Sequence, residues 1–415
     1  MLIVDLLIII NIILIPVIIF VKIRLIKFSL FINPKYWIVI YMYFYLLLPS
    51  SILKITNIFQ NWNFSSDSVF LSKLLVLYFI DLYLCLTLST KDHIRNINPN
   101  FLPNRLSVSI SMFFVSLTII YLLYILFLSG QNLIEGIHNR QLNGILVNTI
   151  NSQFKIKGVL FINLCATTVL FWKTKKIYSF VSLFLFIFLE VISGARTNSF
   201  LALFFIYANI CIFKKKWYFF PILLVLILLL SYVTVFRANV QSSMPGYSPF
   251  LIFIFNSMGE FVQSFNTTPY VVMTNLKSNE GLISLILNMF SGLLPGFIKT
   301  NLNIMNPGEI IAINIGRGYG LGFNVITESF YFGGFSFLLF SPIILFIIFE
   351  GFTAMLLKLK FAGYGLLLIL ISYLRLVIRE GMTTYLLVVV YIFIFYFWIM
   401  NFKSSSHFFL ASKYK

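Results

Sequence analysis

Charged residues are scarce in this chain. They make up 10% of its 415 residues, against roughly a quarter in soluble domains, while 60% of the residues are hydrophobic. This scarcity excludes an ordinary soluble globular protein. The apolar runs reach the roughly 20 residues that a helix needs to cross a bilayer, and they lack the alternation of membrane β-strands. We therefore predict an all-α polytopic membrane protein.

Cysteine and histidine are also few, with three of each. The cysteines fall inside apolar runs and the histidines lie in separate segments: Cys85, Cys165 and Cys211; His93, His138 and His407. Such spacing indicates neither a disulfide framework nor a histidine-rich metal site. We interpret the cysteines as small packing residues, and we expect neither a metal nor a cofactor.

Acidic residues are outnumbered, 12 against 30 basic ones, which leaves a formal net charge of +18. In a soluble protein, this excess would suggest binding to nucleic acid. Here Lys and Arg cluster in short loops between apolar runs, which is the pattern that membrane orientation produces. We therefore expect membrane lipids as partners, and no nucleic acid.

Hydropathy predicts about eleven membrane spans within a single membrane domain over residues 1–415. They lie near residues 2–21, 36–53, 69–88, 106–129, 158–172, 177–192, 198–213, 218–236, 326–350, 362–379 and 384–401. The first span has no basic segment before it and no small-residue cleavage site after it, so we expect a retained helix.

The distribution of Lys and Arg predicts the orientation of these spans. Short loops such as Lys214-Lys215-Lys216 carry most of the basic residues, which assigns those loops to the cytoplasm and the N-terminus to the outside. Two larger segments then lie outside, a loop at 130–157 and a large loop at 237–325. Within the second, residues 281–298 are apolar but broken by Gly and Pro, which favours an interfacial or re-entrant helix.

Five arginines lie on the outer side, close to the ends of predicted spans: Arg196, Arg237, Arg317, Arg375 and Arg379. The planar guanidinium group matches phosphate oxygens two at a time, whereas lysine is a point charge. Arg375 and Arg379 are four residues apart, so their side chains share one face of a helix and are suited to one anion. The alternative is that each arginine reaches lipid headgroups or pairs with Glu190, Glu328 or Glu380.

The segment from Gly316 to Gly334 has glycine at every second position up to residue 322. Its spacing matches neither a dinucleotide fingerprint nor a Walker loop. Gly318 and Gly320 instead allow a ligand to approach backbone N–H groups close to the start of a helix, where an anion is favoured. A plain hinge into the ninth span is the alternative.

Two acidic residues in predicted spans are candidates for function, because a carboxylate in a membrane is costly without a partner. Glu328 lies about one turn inside the ninth span. It would act as a base toward a sugar hydroxyl or anchor an arginine, and the second role is favoured. Asp81 lies in the third span about two turns from Lys73. We predict a buried structural pair there, in preference to a proton-coupling site.

Several of these features resemble the O-antigen polymerases, the Wzy-type oligosaccharide repeat-unit polymerases of bacterial envelopes. The likeness covers roughly residues 180–400. It consists of Ser-Gly-Ala-Arg-Thr at 193–197, the long loop after the eighth span, Gly-Tyr-Gly-Leu-Gly leading into Ile-Thr-Glu-Ser-Phe-Tyr-Phe-Gly-Gly, and Arg379-Glu380 near the end.

This resemblance implies a GT-C-like membrane glycosyltransferase in the bacterial inner membrane, with its active face in the periplasm. Its substrates would be undecaprenyl-pyrophosphate-linked oligosaccharides, and a chain-length regulator would be a further partner. The residues implied in catalysis are Glu328, Arg317 and Arg196. Those implied in binding pyrophosphate or glycan are Arg237, Arg375, Arg379, Gly318 and Gly320.

Two other functions remain open at this point. An O-antigen ligase resembles the polymerases in topology but typically carries a histidine in its large outer loop, and residues 237–325 contain none. A flippase or transporter for lipid-linked oligosaccharide would show related halves and charged residues along a central path. One large outer loop fits an external catalytic surface better than such a path.

Overall fold

A computed structural model describes residues 2–26, 33–51, 64–90, 105–129, 262, 264–278, 281–291, 307–314, 322–357 and 361–382, with single positions at 181, 184–185, 187–188, 389–390 and 394. Every regular element in these ranges is helical. Three helical stretches are long and apolar enough to cross a membrane: Leu2–Lys22, Ser66–Ser89 and Val325–Leu357. For this part of the chain, the predicted all-α class is confirmed, and so is the presence of helices long and apolar enough to span a membrane.

The described helices are numbered in chain order. They are α1 (Leu2–Ile26), α2 (Pro34–Met42), α3 (Ser66–Ser89), α4 (Arg105–Ser129), α5 (264–274), α6 (Leu282–Ser291), α7 (Pro307–Asn314), α8 (Val325–Leu357) and α9 (Phe361–Glu380). Helices α1 to α4, α8 and α9 coincide with predicted spans. The predicted spans at 158–172, 198–213 and 218–236 lie outside the described residues, as does the loop at 130–157.

Local sequence explains where α2 and α3 begin. The Asn33 side chain accepts a hydrogen bond from the Lys35 N–H at 3.2 Å, and Pro34 follows as the first helical residue. Ser65 caps α3 in the same way, through the Ser68 N–H at 3.2 Å. Both caps satisfy N–H groups that a helix start leaves without an intrahelical partner.

Helix α2 continues through a π-helical turn, Tyr43–Leu47, into a helical stretch that ends at residue 51. A π-turn accommodates one extra residue and changes which side chains face a neighbouring helix. Here it leaves Tyr45 buried and Phe44 exposed. The turn therefore decides which aromatic ring faces the protein interior.

The centre of the fold is a packed set of α2, α3, α8 and α9. Helix α3 packs along α8, and α9 contacts both α2 and α8. The side chains between them are apolar and buried, among them Leu46, Phe79 and Phe349. The hydroxyl of Tyr78 adds a 2.8 Å hydrogen bond to the carbonyl of Leu339, which ties α3 to α8.

Helix α8 is broken at Gly334, whose φ of 60° and ψ of −154° are not helical. Residues 325–332, before the break, are all buried, whereas Phe335 just after it is exposed. A Cβ atom at Gly333 would overlap the side chain of Phe337, so the chain needs glycine where it bends. The predicted ninth span at 326–350 is thus a short buried helix followed by a longer apolar one.

Contacts at the helix ends agree with the alternation of the spans. Lys35 Nζ donates to the Thr90 hydroxyl at 3.0 Å, which joins the start of α2 to the end of α3. Lys73 Nζ lies 2.5 Å from Asp5 Oδ1, which joins the start of α3 to the start of α1. In each contact, the two helix ends are ones that the distribution of Lys and Arg assigns to the same side of the membrane.

The predicted pair between Lys73 and Asp81 is wrong. Lys73 is buried against Asp5, and Asp81 is an exposed residue that accepts a 3.5 Å hydrogen bond from Asn11. Eight residues along a helix separate two side chains by about 12 Å along its axis. Each charged group therefore finds its partner on α1 and not on its own helix.

Cys85 is exposed on α3, so its interpretation as a packing residue is also wrong. In an apolar helix with a partly exposed surface, one cysteine fits equally well on the outer face. Cys165 and Cys211 lie outside the described residues.

Candidate functional site

The candidate site lies where the first turn of α8 meets the last turn of α9. Glu328, in the first turn of α8, is 1% exposed. Its carboxylate accepts a hydrogen bond from the main-chain N–H of Met382, just beyond the end of α9. Glu328 therefore holds the end of the helix that carries Arg375 and Arg379.

Gly381 makes this approach possible. Its φ of +92° lies in the left-handed region, which favours glycine at the end of a helix. A Cβ atom built at residue 381 would lie 2.6 Å from the carboxyl carbon of Glu328. The position thus needs glycine for its backbone conformation and for the space that the carboxylate occupies.

A second contact holds the same turn of α9. The Ser264 hydroxyl, in α5, donates to the carbonyl of Arg379 at 2.9 Å. Gly322 lies against this pair, since a Cβ atom there would be 3.1 Å from the Arg379 carbonyl oxygen. The end of α9 therefore meets α5 and the part of the glycine segment at Gly322.

Asn324 organises the start of α8. Its Oδ1 accepts hydrogen bonds from the N–H groups of Ile326 and Thr327, at 3.0 and 3.1 Å, which is the geometry of a helix N-cap. Its Nδ2 donates to the Ser264 carbonyl at 2.7 Å and to the Thr268 hydroxyl at 2.9 Å. One buried amide thereby joins α5 to α8.

Three threonine hydroxyls extend the hydrogen bonds around Asn324. Thr327 Oγ1 shares hydrogen bonds with Thr267 Oγ1 at 3.1 Å and with Thr268 Oγ1 at 2.8 Å, and all three side chains are buried. We call Ser264, Thr267, Thr268, Asn324 and Thr327 the polar cluster. Buried polar groups joined in this way form a rigid unit, because each bond lost would leave a buried group unpaired.

Arg375 and Arg379 are one turn apart on α9, as the sequence predicts. Arg375 Nε donates to the Tyr45 hydroxyl at 2.5 Å, and the guanidinium carbon lies 5.7 Å from the centre of the Tyr45 ring. The π-helical turn in the α2 region thus presents a phenol to this arginine. A guanidinium held through Nε keeps a defined orientation of its terminal nitrogens.

Arg379 lies close to Glu380, the next residue in the chain. Its NH1 atom lies 4.0 Å from Glu380 Oε1, and the two side chains are 23% and 42% exposed. An ion pair this long and this exposed contributes little to stability. The pairing with Glu380 that the sequence offered as an alternative therefore exists, but it is weak.

Other members of the predicted site lie outside the described residues. These are Arg196, Arg237, Arg317, Gly318 and Gly320. Of the residues implied in catalysis or binding, the structure brings Glu328 and the end of the Arg375–Arg379 helix together.

The polar cluster and Tyr45 were missed by the sequence analysis. One signal was present for Asn324, because an Asn directly before a helix is a typical N-cap. The consecutive threonines at 267 and 268 carry no such signal, since the partners that join them to α8 are more than 50 residues away along the chain. Tyr45 likewise depends on a contact between distant helices.

Comparison of the chain with protein-family models, with curated proteins and with solved structures gave no match.

Proposed function

We propose that the chain is an O-antigen or surface-polysaccharide polymerase. It transfers a growing glycan from undecaprenyl pyrophosphate onto a new lipid-linked repeat unit, at the periplasmic face of the bacterial inner membrane. The proposal combines the family resemblance with one structural observation: the buried Glu328 fastens the end of the helix that carries Arg375 and Arg379.

The arginines have a direct chemical use in this reaction. A hydroxyl of the acceptor sugar attacks the anomeric carbon of the donor, and the bond from that carbon to the pyrophosphate oxygen breaks. The acceptor proton passes to the departing pyrophosphate, which leaves with the bonding electron pair. Guanidinium groups beside this oxygen would stabilise the charge as it develops, and Arg375 and Arg379 are our candidates, together with Arg196, Arg237 and Arg317.

Glu328 takes the positioning role in this proposal. It is almost fully buried and bound to the Met382 N–H, whereas a general base must reach the proton that it removes. Its carboxylate instead fixes the last turn of α9. Because a small misplacement of a catalytic group slows a reaction strongly, this support is part of the site.

Purified protein in liposomes, supplied with undecaprenyl-pyrophosphate-linked repeat units, tests the proposal. We expect a ladder of glycan lengths that persists with a metal chelator. Arg375→Ala and Arg379→Ala should reduce the ladder to single repeats, while Lys22→Ala, at the opposite end of the described bundle, should leave it intact. Full ladders from both arginine variants would refute their assignment.

The glycan phenotype of a deletion strain separates the competing functions. If the chain is a polymerase, its deletion leaves single repeats on the lipopolysaccharide. Accumulated lipid-linked sugar on the cytoplasmic side would identify a flippase, and polymer that stays on undecaprenyl pyrophosphate without joining the lipopolysaccharide would identify a ligase.

A further inference from the structure

Helix α6 (Leu282–Ser291) presents one apolar face outward. Leu282, Ile283, Ile286, Leu287 and Phe290 are between 46% and 66% exposed, and their spacing places them on one side of a helix. Leu285 and Ser291 are buried on the opposite side, where α6 contacts α8. One face of the short helix therefore packs against the protein, and the other face is an exposed apolar surface.

One lysine stands at the base of this surface. Lys277 is exposed, and its Nζ lies 5.8 Å from the centre of the Phe330 ring. The same nitrogen lies 4.0 Å from the position that a Cβ atom at Gly334 would take, so the cation sits beside the break in α8. Its charge is therefore held against the outer part of α8 and next to the apolar face.

The chain between Lys277 and α6 is tied to α8. The Ser278 N–H donates to the Tyr331 carbonyl at 2.9 Å. Gly281, with a φ of +56°, lies so close to the Phe332 carbonyl that a Cβ atom there would be 3.3 Å from the oxygen. These contacts fix the position of the lysine segment relative to the apolar face, since both are attached to the same stretch of α8.

We propose that Lys277 and the outer face of α6 form a docking surface for the lipid-linked substrate, with the phosphate at Lys277 and the polyprenyl chain along α6. An apolar face beside one cation is complementary to an amphiphile with an anionic head, which is how interfacial helices bind anionic lipids. This inference rests on the proposed function.

The position of the surface argues for the substrate over bulk lipid. Phe330 and Tyr331, which contact the lysine segment, follow Glu328 within one turn of α8. A lipid held at Lys277 would therefore place its phosphate next to the helix that contains Glu328. The docking surface and the candidate site therefore share the first, buried part of α8, residues 325–332.

Binding of undecaprenyl pyrophosphate to the purified protein tests this inference without requiring glycan synthesis. The full chain is placed in phosphatidylcholine nanodiscs, and the bound lipid is measured by native mass spectrometry after release. We expect Lys277→Gln to weaken binding about five- to tenfold, because one charge-assisted contact is lost. Lys22→Gln is the matched control and should bind as the unaltered protein does.

The apolar half of the surface needs a separate variant. Ile286→Ser with Leu287→Ser should weaken binding of the same lipid, since these side chains are exposed and their loss leaves the packing of α6 intact. Ile9→Ser with Ile10→Ser, on the exposed face of α1, is the matched control. Unchanged binding in the α6 variant would contradict a role for this face.

Competition decides what occupies the surface. If tenfold excess phosphatidylglycerol displaces undecaprenyl pyrophosphate from the unaltered protein but not from the Lys277 variant, the surface binds bulk anionic lipid and the inference is overturned. Equal binding by the Lys277→Gln variant and the unaltered protein also overturns it. If Lys277 governs binding but the protein makes no glycan ladder, the docking surface stands and the proposed function fails.

Discussion

The carboxylate of Glu328 occupies the space that a side chain at residue 381 would fill, so the acid and Gly381 require each other. Two helices are joined in this way, because Glu328 lies in the first turn of α8 and Gly381 directly follows α9. We expect Gly381→Ala to lower the free energy of unfolding by roughly 1–3 kcal/mol, since the new Cβ atom meets both backbone strain and the carboxylate.

Thermal unfolding in detergent measures this effect. Gly351→Ala is the matched control, because Gly351 lies within α8 and a Cβ atom there meets nothing within 4 Å. In a helix interior, that replacement should be neutral or stabilise by roughly 0.5–1 kcal/mol. Equal melting temperatures for the two variants would contradict the role given to Gly381.

Replacement of Glu328 separates a positioning role from a basic one. Gln keeps an oxygen that accepts the Met382 N–H, whereas Ala leaves that N–H unpaired at a cost of roughly 1–3 kcal/mol. We therefore expect Glu328→Gln to retain much more glycan synthesis and thermal stability than Glu328→Ala. If Glu328 is the base, both variants will be equally inactive in the liposome assay.

Asn324 is expected to be the most sensitive member of the polar cluster. Asn324→Asp keeps the helix cap but removes the three Nδ2 hydrogen bonds, to Ser264, Thr267 and Thr268. The buried acceptors left behind should cost roughly 1–3 kcal/mol. Asn288→Asp, which removes a bond within α6 to the Ser284 carbonyl, serves as the control. A larger loss of melting temperature at Asn288 would argue against this network.

The pair between Lys73 and Asp5 is best tested by a double-mutant cycle. The Lys73 side chain is 5% exposed and that of Asp5 is 36% exposed. Asp5→Ala leaves a buried ammonium group without this partner, so it should destabilise more than the double variant Asp5→Ala/Lys73→Met. Additive changes in melting temperature would show that the two charges do not interact.

Tyr45 should support Arg375 through its hydroxyl. Tyr45→Phe keeps the ring but removes the hydrogen-bond acceptor for Arg375 Nε, so we expect a reduction in glycan synthesis of up to about tenfold. Tyr43→Phe is the control, because Tyr43 donates its hydroxyl hydrogen to the Ile12 carbonyl, away from the arginine. Loss of activity in the control alone would contradict this assignment.

The features predicted from sequence are those that depend on local pattern. The bounds of α3 and α9, the helix within 281–298 and the shared helix of Arg375 and Arg379 follow from hydropathy and from helical spacing. They need no knowledge of what lies beside them. The same is true of Glu328, which stood out because an acid is costly in an apolar span.

The partners of these residues could not be predicted in the same way. Lys73 binds Asp5, which is 68 positions away, and Arg375 binds Tyr45, which is 330 positions away. Such distances carry no periodic signal, and Asp81, eight positions from Lys73 on the same helix, was chosen wrongly. The Glu328 contact is to a main-chain N–H, which no side-chain pattern can indicate.

The π-helical turn Tyr43–Leu47 makes this part of the chain unusually sensitive to deletions. Such a turn holds one extra residue while the helix on either side keeps its direction, so removing one residue would restore regular helix and redirect mainly the side chains within the turn. Tyr45 would turn away from Arg375, although every side chain in the turn would remain apolar or aromatic. Relatives with regular α-helix at this point would therefore have to support the arginine from another residue.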